Sequence, residues 1–291
     1  MRYEGPIYRP PSEAHSLLIQ ATVGCPHNRC TFCMIYKEGI RFKIRPVAEI
    51  KKDIQTARRV HGDRVRTLFF PAGNTIAMKT EDLCEICRFS RETFPNLERI
   101  TVYGSSRYIH MKGVEALQQL AEAGLSRIHV GLESGDDVIL KRIRKGTHSR
   151  EQAEAGRWVK AASIELSLYV ILGIGGKERT REHALHTADV LNRIEPDFIR
   201  LRTFVPKINT PLLADVQSGR FRMLGPHEVL SETALLIGNL RARSYLTSDH
   251  YTNYIHLEGR LPEDRPRLLD QIRSASERAE SDFRPFFVGD V

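Results

Sequence analysis

The sequence predicts an α/β fold, specifically a partial (β/α)6 TIM-like barrel with parallel strands. Strand-like apolar runs alternate with helix-like segments from residue 16 to residue 240, and six such units occur there. A strand followed by a helix and a second strand implies parallel pairing through a right-handed crossover. The alternation ends after Leu240. We therefore expect a core domain over 1–240, with an N-terminal lead-in, and a loop-helix extension over 241–291 packed on the barrel.

The individual elements follow from apolar periodicity and from end signals. Short apolar runs bounded by turn residues are the predicted strands, at 16–23, 66–70, 99–104, 126–132, 165–174 and 197–205. Pro46 opens a helix that Gly62 ends, and Thr80 is the expected N-cap of the next helix, with acidic residues in its first turn. The predicted helices are 46–62, 80–94, 113–124, 154–163, 180–194 and 226–240.

Composition limits the class of protein. The N-terminus carries no apolar run of the secretory type, and the longest apolar stretches are too short to span a bilayer. We expect a cytoplasmic protein without a membrane partner. The net charge of +8 is compatible with an Arg-rich surface, an anionic substrate, an acidic electron donor or a nucleic acid. The basic residues are dispersed, which argues against a nucleic-acid-binding tail.

Three of the five cysteines, Cys25, Cys30 and Cys33, follow the first predicted strand with the spacing C-x4-C-x2-C. A clustered, odd set of cysteines in a reducing compartment indicates metal binding or catalysis rather than disulfides. Thiolates of this kind hold iron–sulfur clusters, and three ligands would leave one iron of a four-iron cluster open. Two alternatives remain, a Cys3His zinc site that includes His27, and three unrelated core cysteines.

The cysteine loop, with Phe32 before its last cysteine, resembles the cluster motif of the radical S-adenosylmethionine (SAM) superfamily. The usual spacing there is C-x3-C-x2-C, so this loop carries one extra residue. The "GLES" stretch, Gly131 to Ser134, is similar to a branch that includes tRNA methylthiotransferases and oxygen-independent porphyrinogen dehydrogenases. The resemblance covers roughly residues 16–240. It implies that Cys25, Cys30 and Cys33 hold a [4Fe–4S] cluster whose open iron binds SAM.

The resemblance also implies the residues that contact SAM. After the second strand, Gly73 fits a Gly-Gly-Glu-like turn that contacts the SAM amino group, although Asn74 replaces the acid. Glu133 is expected to serve the SAM pocket. The remaining expected SAM-binding residues, on or after other strands or in the cysteine loop, are Phe32, Ser134, Ser167, Gly173 and Val205.

The chemistry that the resemblance implies is reductive cleavage of SAM to a 5′-deoxyadenosyl radical, which abstracts hydrogen from a substrate. An external one-electron donor such as flavodoxin or ferredoxin is then needed, and both are typically acidic. Only about two dozen residues of the sequence precede Cys25, so we expect no cobalamin-binding or sulfur-donating cluster domain upstream, and no cysteine follows Cys87. We therefore expect neither cobalamin-dependent methyl transfer nor sulfur insertion. A small, anionic metabolite or cofactor precursor is the expected substrate; alternatives are a tRNA-modifying enzyme and a zinc-stabilised nucleic-acid or protein-binding module.

Substrate-binding candidates lie on the sixth predicted strand and in the tail. Arg200 and Arg202 alternate on that strand, so both face one side, where they would suit a carboxylate or phosphate. A surface ion pair is the alternative. In "SDHYTNY", Asp249 and His250 are candidates for a lid, and an ordinary polar loop is the alternative. We assign Arg202 and His250 as candidate catalytic residues.

Three further residues are expected to be structural. His129 shares a face with Glu133, and it is expected to be a hydrogen-bonded core histidine rather than a catalytic one. Cys84 and Cys87 share one face of a predicted helix and are expected to be buried core thiols.

Overall fold

The structure, a computed structural model, describes residues 1–37 and 39–290. The chain forms two compact units, each built from segments that are distant in sequence. The first unit contains Met1–Asn28, Tyr36–Val130 and Trp158–Leu166. The second contains Arg29–Ile35, Gly131–Arg157 and the described residues from Ser167 onward.

The described residues form strands and helices in an alternating order. The strands are β1 (Leu17–Leu18), β2 (Thr22–Val23), β3 (Lys43–Ile44), β4 (Thr67–Phe70), β5 (Arg99–Gly104), β6 (Arg127–Glu133), β7 (Glu165–Leu172), β8 (Phe198–Thr203), β9 (Ser244–Thr247) and β10 (Glu258–Leu261). The α-helices are α1 (Val47–His61), α2 (Thr80–Thr93), α3 (Ser106–Glu122), α4 (Asp137–Arg142), α5 (Ser149–Ala161), α6 (Thr180–Ile194), α7 (Pro211–Gln217), α8 (Pro226–Asn239) and α9 (Arg265–Ser276).

The first unit is a layer of parallel strands with helices packed beside one another. Parallel pairing joins β1 to β4, β4 to β5, and β5 to β6, with Val102 opposite Ile128 in register. Helix α2 packs against both α1 and α3. The central strands are buried on both faces, which is why they read as continuous apolar runs in the sequence. Their fully buried side chains include Leu68, Phe69, Phe70, Ile100 and Val102.

The second unit continues the same architecture. Strands β7 and β8 are parallel, with Leu172 opposite Thr203, and β9 adds in parallel to β8. Helix α8 packs between α6 and α9. Gly173 and Val205 follow the ends of β7 and β8. Because neighbouring parallel strands end at the same edge of a sheet, both residues lie at that edge. The predicted α/β class with a mostly parallel sheet, consistent with a partial barrel, is confirmed.

The prediction of a first strand over 16–23 was wrong in the length and the pairing of that strand. Only Leu17–Leu18 pairs in parallel with β4, while Thr22–Val23 pairs antiparallel with β3. Arg45 explains the change, because its guanidinium donates to the Gln20 carbonyl and its backbone N–H donates to the Ala21 carbonyl. These bonds direct the chain away from β4 toward β3.

The C-terminal extension contains more regular structure than the predicted loop and helix. Besides α9, it contributes β9, and β10 pairs antiparallel with β9. Each of these strands has only four residues, too few to produce a clear period-two pattern. The domain boundary at residue 240 stays a prediction.

Other departures are local. Helix α3 begins at Ser106, seven residues before the predicted start at Gly113. The backbone at Gly113 is not helical, with a φ of 80°, so the predicted helix is only the part of α3 that follows this interruption. The short helices α4 and α7 were not predicted. No helix among the described residues is both long enough and apolar enough to cross a membrane.

Candidate cofactor site

Hydrogen bonds fix the cysteine loop at several points along its length. In the first unit, Gly24 leads into Cys25 with a φ of 73°, and the Asn28 amide donates to the Tyr36 carbonyl at 2.6 Å. In the second unit, Thr31 donates its backbone N–H to Ile143 at 3.0 Å and accepts one from Leu212 at 3.1 Å. These bonds fix the backbone that carries the thiols.

Cys25, Cys30 and Cys33 are each partly exposed, and none of them forms a disulfide. Phe32, between the last two, packs against an apolar cluster of the second unit. The buried members of that cluster are Ile139, Leu140, Ile143, Ile174, Phe204, Leu212 and Phe221. Over residues 1–37 and 39–290, no three His, Cys, Asp or Glu side chains are grouped so as to hold a metal ion.

Gly73 lies in a turn after β4 that packs directly on the start of the cysteine loop. Its N–H donates to the Gly24 carbonyl at 3.1 Å. A Cβ at this position would stand 2.8 Å from the Cys25 Cβ, from the Gly24 oxygen and from a ring carbon of Tyr36. No side chain fits in that space, so the turn requires glycine.

Asn74 follows with its side chain almost fully buried. Its amide nitrogen donates to the Ser105 hydroxyl at 3.0 Å, whereas its Oδ1 atom is buried without a hydrogen-bond donor. A buried acceptor without a donor costs free energy, so an unpaired one in a native protein calls for an explanation, such as a ligand that supplies the donor.

Glu133 ends β6 with its side chain folded back along the strand. Its φ is 64°, in the left-handed region that side chains rarely adopt. Oε1 accepts from Lys145 at 2.8 Å, and a Cβ on Gly131 would stand 2.0 Å from Oε1. Gly131 therefore provides the room for the ion pair. The sequence did not single out Lys145 as the partner of Glu133.

The residues after Glu133 are bound to α6. Ser134 Oγ lies 2.9 Å from His183 Nδ1, and Gly135 donates its N–H to Thr187 at 2.9 Å. Asp136 caps α4 by accepting from Ile139. Although burial alone would raise it, hydrogen bonds from Arg179, Ile139 and His186 hold the pKa of Asp136 below its ordinary value. An ionised carboxylate therefore fixes this segment.

Gly173 directly follows β7 with a φ of 78°. Its N–H donates to the buried carboxylate of Glu232 at 2.7 Å. Val205, two residues after β8, is buried and lines a cavity of about 550 Å³. Aromatic side chains of the C-terminal region, including Tyr254, Phe283 and Phe287, line the same cavity.

The two arginines of β8 have different surroundings. Arg200 is buried, donates to Ser167 Oγ at 3.1 Å and lies 3.8 Å from Asp249. Arg202 is half-buried, with its guanidinium 4.7 Å from the centre of the Tyr169 ring. Within the described chain, no carboxylate lies at ion-pairing distance from Arg202. Arg200 thus has an ion-pair partner, but Arg200 itself is buried, unlike in the surface pair of the alternative, and a substrate role for either arginine stays a prediction.

His250 lies in the loop between β9 and β10, where its Nδ1 is 2.7 Å from the Thr252 hydroxyl. Burial, followed by the positive charges of Arg202 and Lys207, lowers the pKa of His250 from 6.5 to about 4. The imidazole is therefore neutral at physiological pH.

Asn253, which the sequence did not single out, holds the same loop at the end of β8. Its Oδ1 accepts from the Thr203 N–H at 2.8 Å, and its amide donates to the carbonyls of Leu201 and Ser248 at 2.9 Å each.

A family model described as "Radical SAM superfamily" matches residues 19–191. The chain belongs to the radical SAM superfamily. Members of this superfamily are enzymes that use SAM and a [4Fe–4S] cluster, so membership favours an iron–sulfur site over the zinc alternative.

Three proteins illustrate what this superfamily member is similar to. A tRNA-2-methylthio-N(6)-dimethylallyladenosine synthase from Dehalococcoides mccartyi is 27% identical over 216 residues, 72% of this chain and 49% of that protein. This chain thus spans about half the length of that relative. Methylornithine synthase matches structurally with a TM-score of 0.54 at 18% identity, over 92% of this chain and 84% of that one. A radical SAM methyltransferase from Kitasatospora setae, with cobalamin and a [4Fe–4S] cluster bound, has a TM-score of 0.57 at 18% identity, over 70% of this chain and 39% of that one.

The residue types present suit the cofactors of the superfamily, although no three metal-ligand side chains among the described residues are grouped so as to hold a metal ion. The donor set of the loop is three thiols, the soft ligands that iron–sulfur clusters require. Gly73 allows the turn after β4 to lie against Cys25, and the unpaired Asn74 Oδ1 is an acceptor suited to an amino group. Ser167 is the exception, since its hydroxyl accepts from Arg200. Its predicted role toward SAM stays a prediction.

Proposed function

We propose that this radical SAM protein abstracts hydrogen from a small anionic metabolite or cofactor precursor. When bound, the cluster and SAM supply a 5′-deoxyadenosyl radical. The observation that carries the substrate class is Arg202, a half-buried cation without a carboxylate partner among the described residues. A desolvated guanidinium of this kind favours a planar anionic ligand.

The proposed cofactor residues have separate tasks. Cys25, Cys30 and Cys33 would ligate the cluster. Asn74 would accept from the SAM amino group, which would satisfy its unpaired Oδ1. Glu133, oriented by Lys145, would bind elsewhere on SAM. In addition, Gly73, Gly173 and Val205 would contact the cofactor through their backbone atoms. Phe32 and Ser134 would hold the segments around it.

The surroundings of Arg202 support an anionic substrate. The Tyr169 ring faces the guanidinium, which leaves the guanidinium edge to donate hydrogen bonds. Lys207 lies close enough to His250 to lower its pKa together with Arg202, so three basic groups converge on one region. Neutral His250 can accept or donate a hydrogen bond there without adding positive charge. Since Arg202 and Lys207 depress the pKa of His250, a bound anion should raise it again.

Cleavage of SAM by reconstituted protein tests the reaction class. Wild-type protein, anaerobically reconstituted and reduced with dithionite, should produce 5′-deoxyadenosine and methionine. Cys30→Ala should abolish both the four-iron electron paramagnetic resonance signal and cleavage. Retained cleavage in this variant would refute the assignment of the cysteine loop.

Hydrogen transfer tests the substrate class. A panel of deuterated carboxylates and phosphorylated metabolites should contain a compound that delivers deuterium into 5′-deoxyadenosine. Arg202→Gln should raise the KM for that compound, whereas Arg150→Gln, at an exposed ion pair on α5, should not. Equal KM values for the two variants would argue against Arg202 as the anion-binding residue.

A second candidate function is tRNA modification. The similarity to a tRNA-modifying synthase over 72% of this chain and the net charge of +8 favour it. Binding of tRNA should then weaken steeply as salt is added, because phosphate contacts release counterions. Failure to bind tRNA at low salt would exclude this second candidate and leave the small-molecule function as the remaining proposal. A flavodoxin or ferredoxin is the proposed electron donor for either function.

A further inference from the structure

Two buried side chains, His183 and Glu232, lie directly behind the Ser134 and Gly173 segments. His183 projects from α6 and is 1% exposed, while Glu232 projects from α8 and is 2% exposed. Neither residue has a role in the cofactor or substrate site described above. A buried carboxylate beside a buried imidazole is costly unless both are hydrogen-bonded, so their presence calls for a reason.

The His183 end of the pair holds the segment after Glu133. Ser134 Oγ accepts the Asp136 N–H at 3.0 Å and lies 2.9 Å from His183 Nδ1. If Nδ1 accepts, the imidazole carries its proton on Nε2. That atom faces Glu232 Oε1 at 3.7 Å. The imidazole thus lies between Ser134 and Glu232, and its contact with Glu232 is longer than a hydrogen bond.

The Glu232 end holds the segment after β7. Oε1 accepts the Gly173 N–H at 2.7 Å, and Oε2 accepts the Thr180 hydroxyl at 2.5 Å. Thr180 is the first residue of α6, so the carboxylate lies at the positive end of that helix dipole. Both carboxylate oxygens are therefore occupied, and one of them fixes a backbone N–H next to β7.

The segment after β6 needs such support most, because glycine adopts a positive φ without steric cost whereas glutamate does not. Glu133, next to Ser134, has a φ of 64°, and Gly173 has a φ of 78°. Left-handed backbone persists where its surroundings determine it, and it often occurs at ligand-binding sites. In this protein, side chains of helices α6 and α8, rather than of the strands themselves, hold this backbone in place.

We infer that His183 and Glu232 are positioning residues that hold the Ser134 and Gly173 segments in the conformation that binds SAM. The inference rests on the proposed function, in which these two segments contact SAM. Neither residue reaches the reacting atoms in this assignment. Their loss should therefore weaken SAM binding more than it slows the cleavage of bound SAM.

The test compares SAM affinity in cluster-loaded protein. Glu232→Gln keeps the side-chain shape but removes the charge that accepts from Gly173 and Thr180. Equilibrium dialysis on anaerobically reconstituted protein, with iron content measured in parallel, should give a Kd for SAM raised roughly tenfold. The cleavage rate at saturating SAM should stay near that of the wild type. Thr233→Val, one residue along α8, removes only a bond within the helix and should leave the Kd unchanged.

A second measurement addresses coupling within the pair. Ser134→Ala and Glu232→Gln should each raise the Kd, and the double variant should raise it by less than the product of the two effects, because both residues contact the His183 imidazole. If Glu232→Gln fails to fold, Thr180→Val removes one hydroxyl bond to Glu232 and should raise the Kd by a smaller factor.

The outcomes separate two failures. Wild-type protein that loads a cluster but binds no SAM overturns the proposed function and this inference together. Wild-type protein that binds SAM, with folded, cluster-loaded variants that bind it equally well, overturns the inference alone.

Discussion

At the scale of single residues, Glu13 shows how much of the first unit depends on one carboxylate. It ends the 3₁₀ helix Pro11–Glu13 in the polar N-terminal lead-in, yet its side chain is fully buried. It contacts groups from β5, β6 and its own segment, namely Ser16, Arg99, Thr101, Arg127 and His129. The expectation that His129 is a hydrogen-bonded core histidine is confirmed by its 3.2 Å contact with Glu13. The lead-in is therefore tied to the parallel strands through this residue.

Glu13→Gln should destabilise the protein in a pH-dependent way. Burial alone would raise the pKa of Glu13, but hydrogen bonds from His129 and Ser16 and the charge of Arg99 lower it from 4.5 to about 2. Such a shift corresponds to roughly 3 kcal/mol of stability. Because the folded pKa is the lower one, this stabilisation is complete above pH 4.5 and is lost as the pH falls toward 2. Urea unfolding at several pH values measures it.

The matched control is Glu98→Gln, which removes an exposed carboxylate paired with Arg66. Exposed ion pairs contribute little, so this variant should unfold almost as the wild type does. A loss for Glu13→Gln that is no larger, or that stays constant between neutral and acidic pH, would refute the role assigned to the buried carboxylate.

Gly73→Ala should impair cluster loading. The new Cβ would stand 2.8 Å from three atoms around Cys25, so the turn after β4 or the start of the cysteine loop must shift. Iron and sulfide content after anaerobic reconstitution should fall relative to the wild type. Gly238→Ala, at a position on α8 with open space around its Cβ, is the control and should load fully. Equal loading of both variants would mean that the Gly73 turn does not set the loop geometry.

The sequence singled out candidate site residues from local spacing, and it did not single out residues whose contacts depend on packing. Cys25, Gly73 and Glu133 stand at recognisable spacings after strands. His183 and Glu232 occupy ordinary positions of amphipathic helices, and only the packing of α6 and α8 reveals their contacts. Arg200 and Arg202 look equivalent in the sequence, whereas the structure pairs Arg200 with Ser167 and leaves Arg202 over Tyr169.

At the scale of elements, prediction succeeded where periodicity was long. Helix α6 spans the predicted 180–194; α2 and α8 end one residue before their predicted ends, and α1 is one residue shorter than predicted at each end. It failed where pairing rather than pattern decides the structure. The edge strands β9 and β10 each have four residues, and the break between β1 and β2 depends on the bonds of Arg45. Such features depend on tertiary contacts that no local window contains.

Asn253→Ala should loosen the loop between β9 and β10. The side chain makes bonds to Thr203, Leu201 and Ser248, and their loss leaves buried backbone groups unsatisfied. Hydrogen exchange of residues 248–257 should accelerate, while exchange in α6 stays at the wild-type rate. Asn96→Ala, which removes one exposed bond to Asp63, is the control and should leave 248–257 unchanged. Unchanged exchange in the Asn253 variant would show that other contacts hold this loop.

At the scale of the whole molecule, the net charge of +8 bears on both proposed macromolecular partners. An acidic flavodoxin and a tRNA would each be attracted by it, and attraction between exposed charges weakens with ionic strength. Charge alone therefore cannot choose between an electron donor and a nucleic-acid substrate. The two differ in the step that salt affects, since a donor acts before SAM is cleaved and a substrate receives the radical afterwards.

Raising the salt concentration should slow SAM cleavage driven by reduced flavodoxin and leave cleavage driven by dithionite nearly unchanged. The reason is that the rate of association with a protein donor depends on long-range electrostatic steering, whereas reduction by a small reductant in excess does not depend on it. The measurement is 5′-deoxyadenosine formation with each reductant over a salt series, without any substrate. If both reductants lose activity in parallel, salt acts on the enzyme itself and the basic surface has no special role toward the donor. If neither loses activity while added tRNA stimulates cleavage only at low salt, the positive charge serves the substrate and the tRNA-modifying function gains the support that the small-molecule function loses.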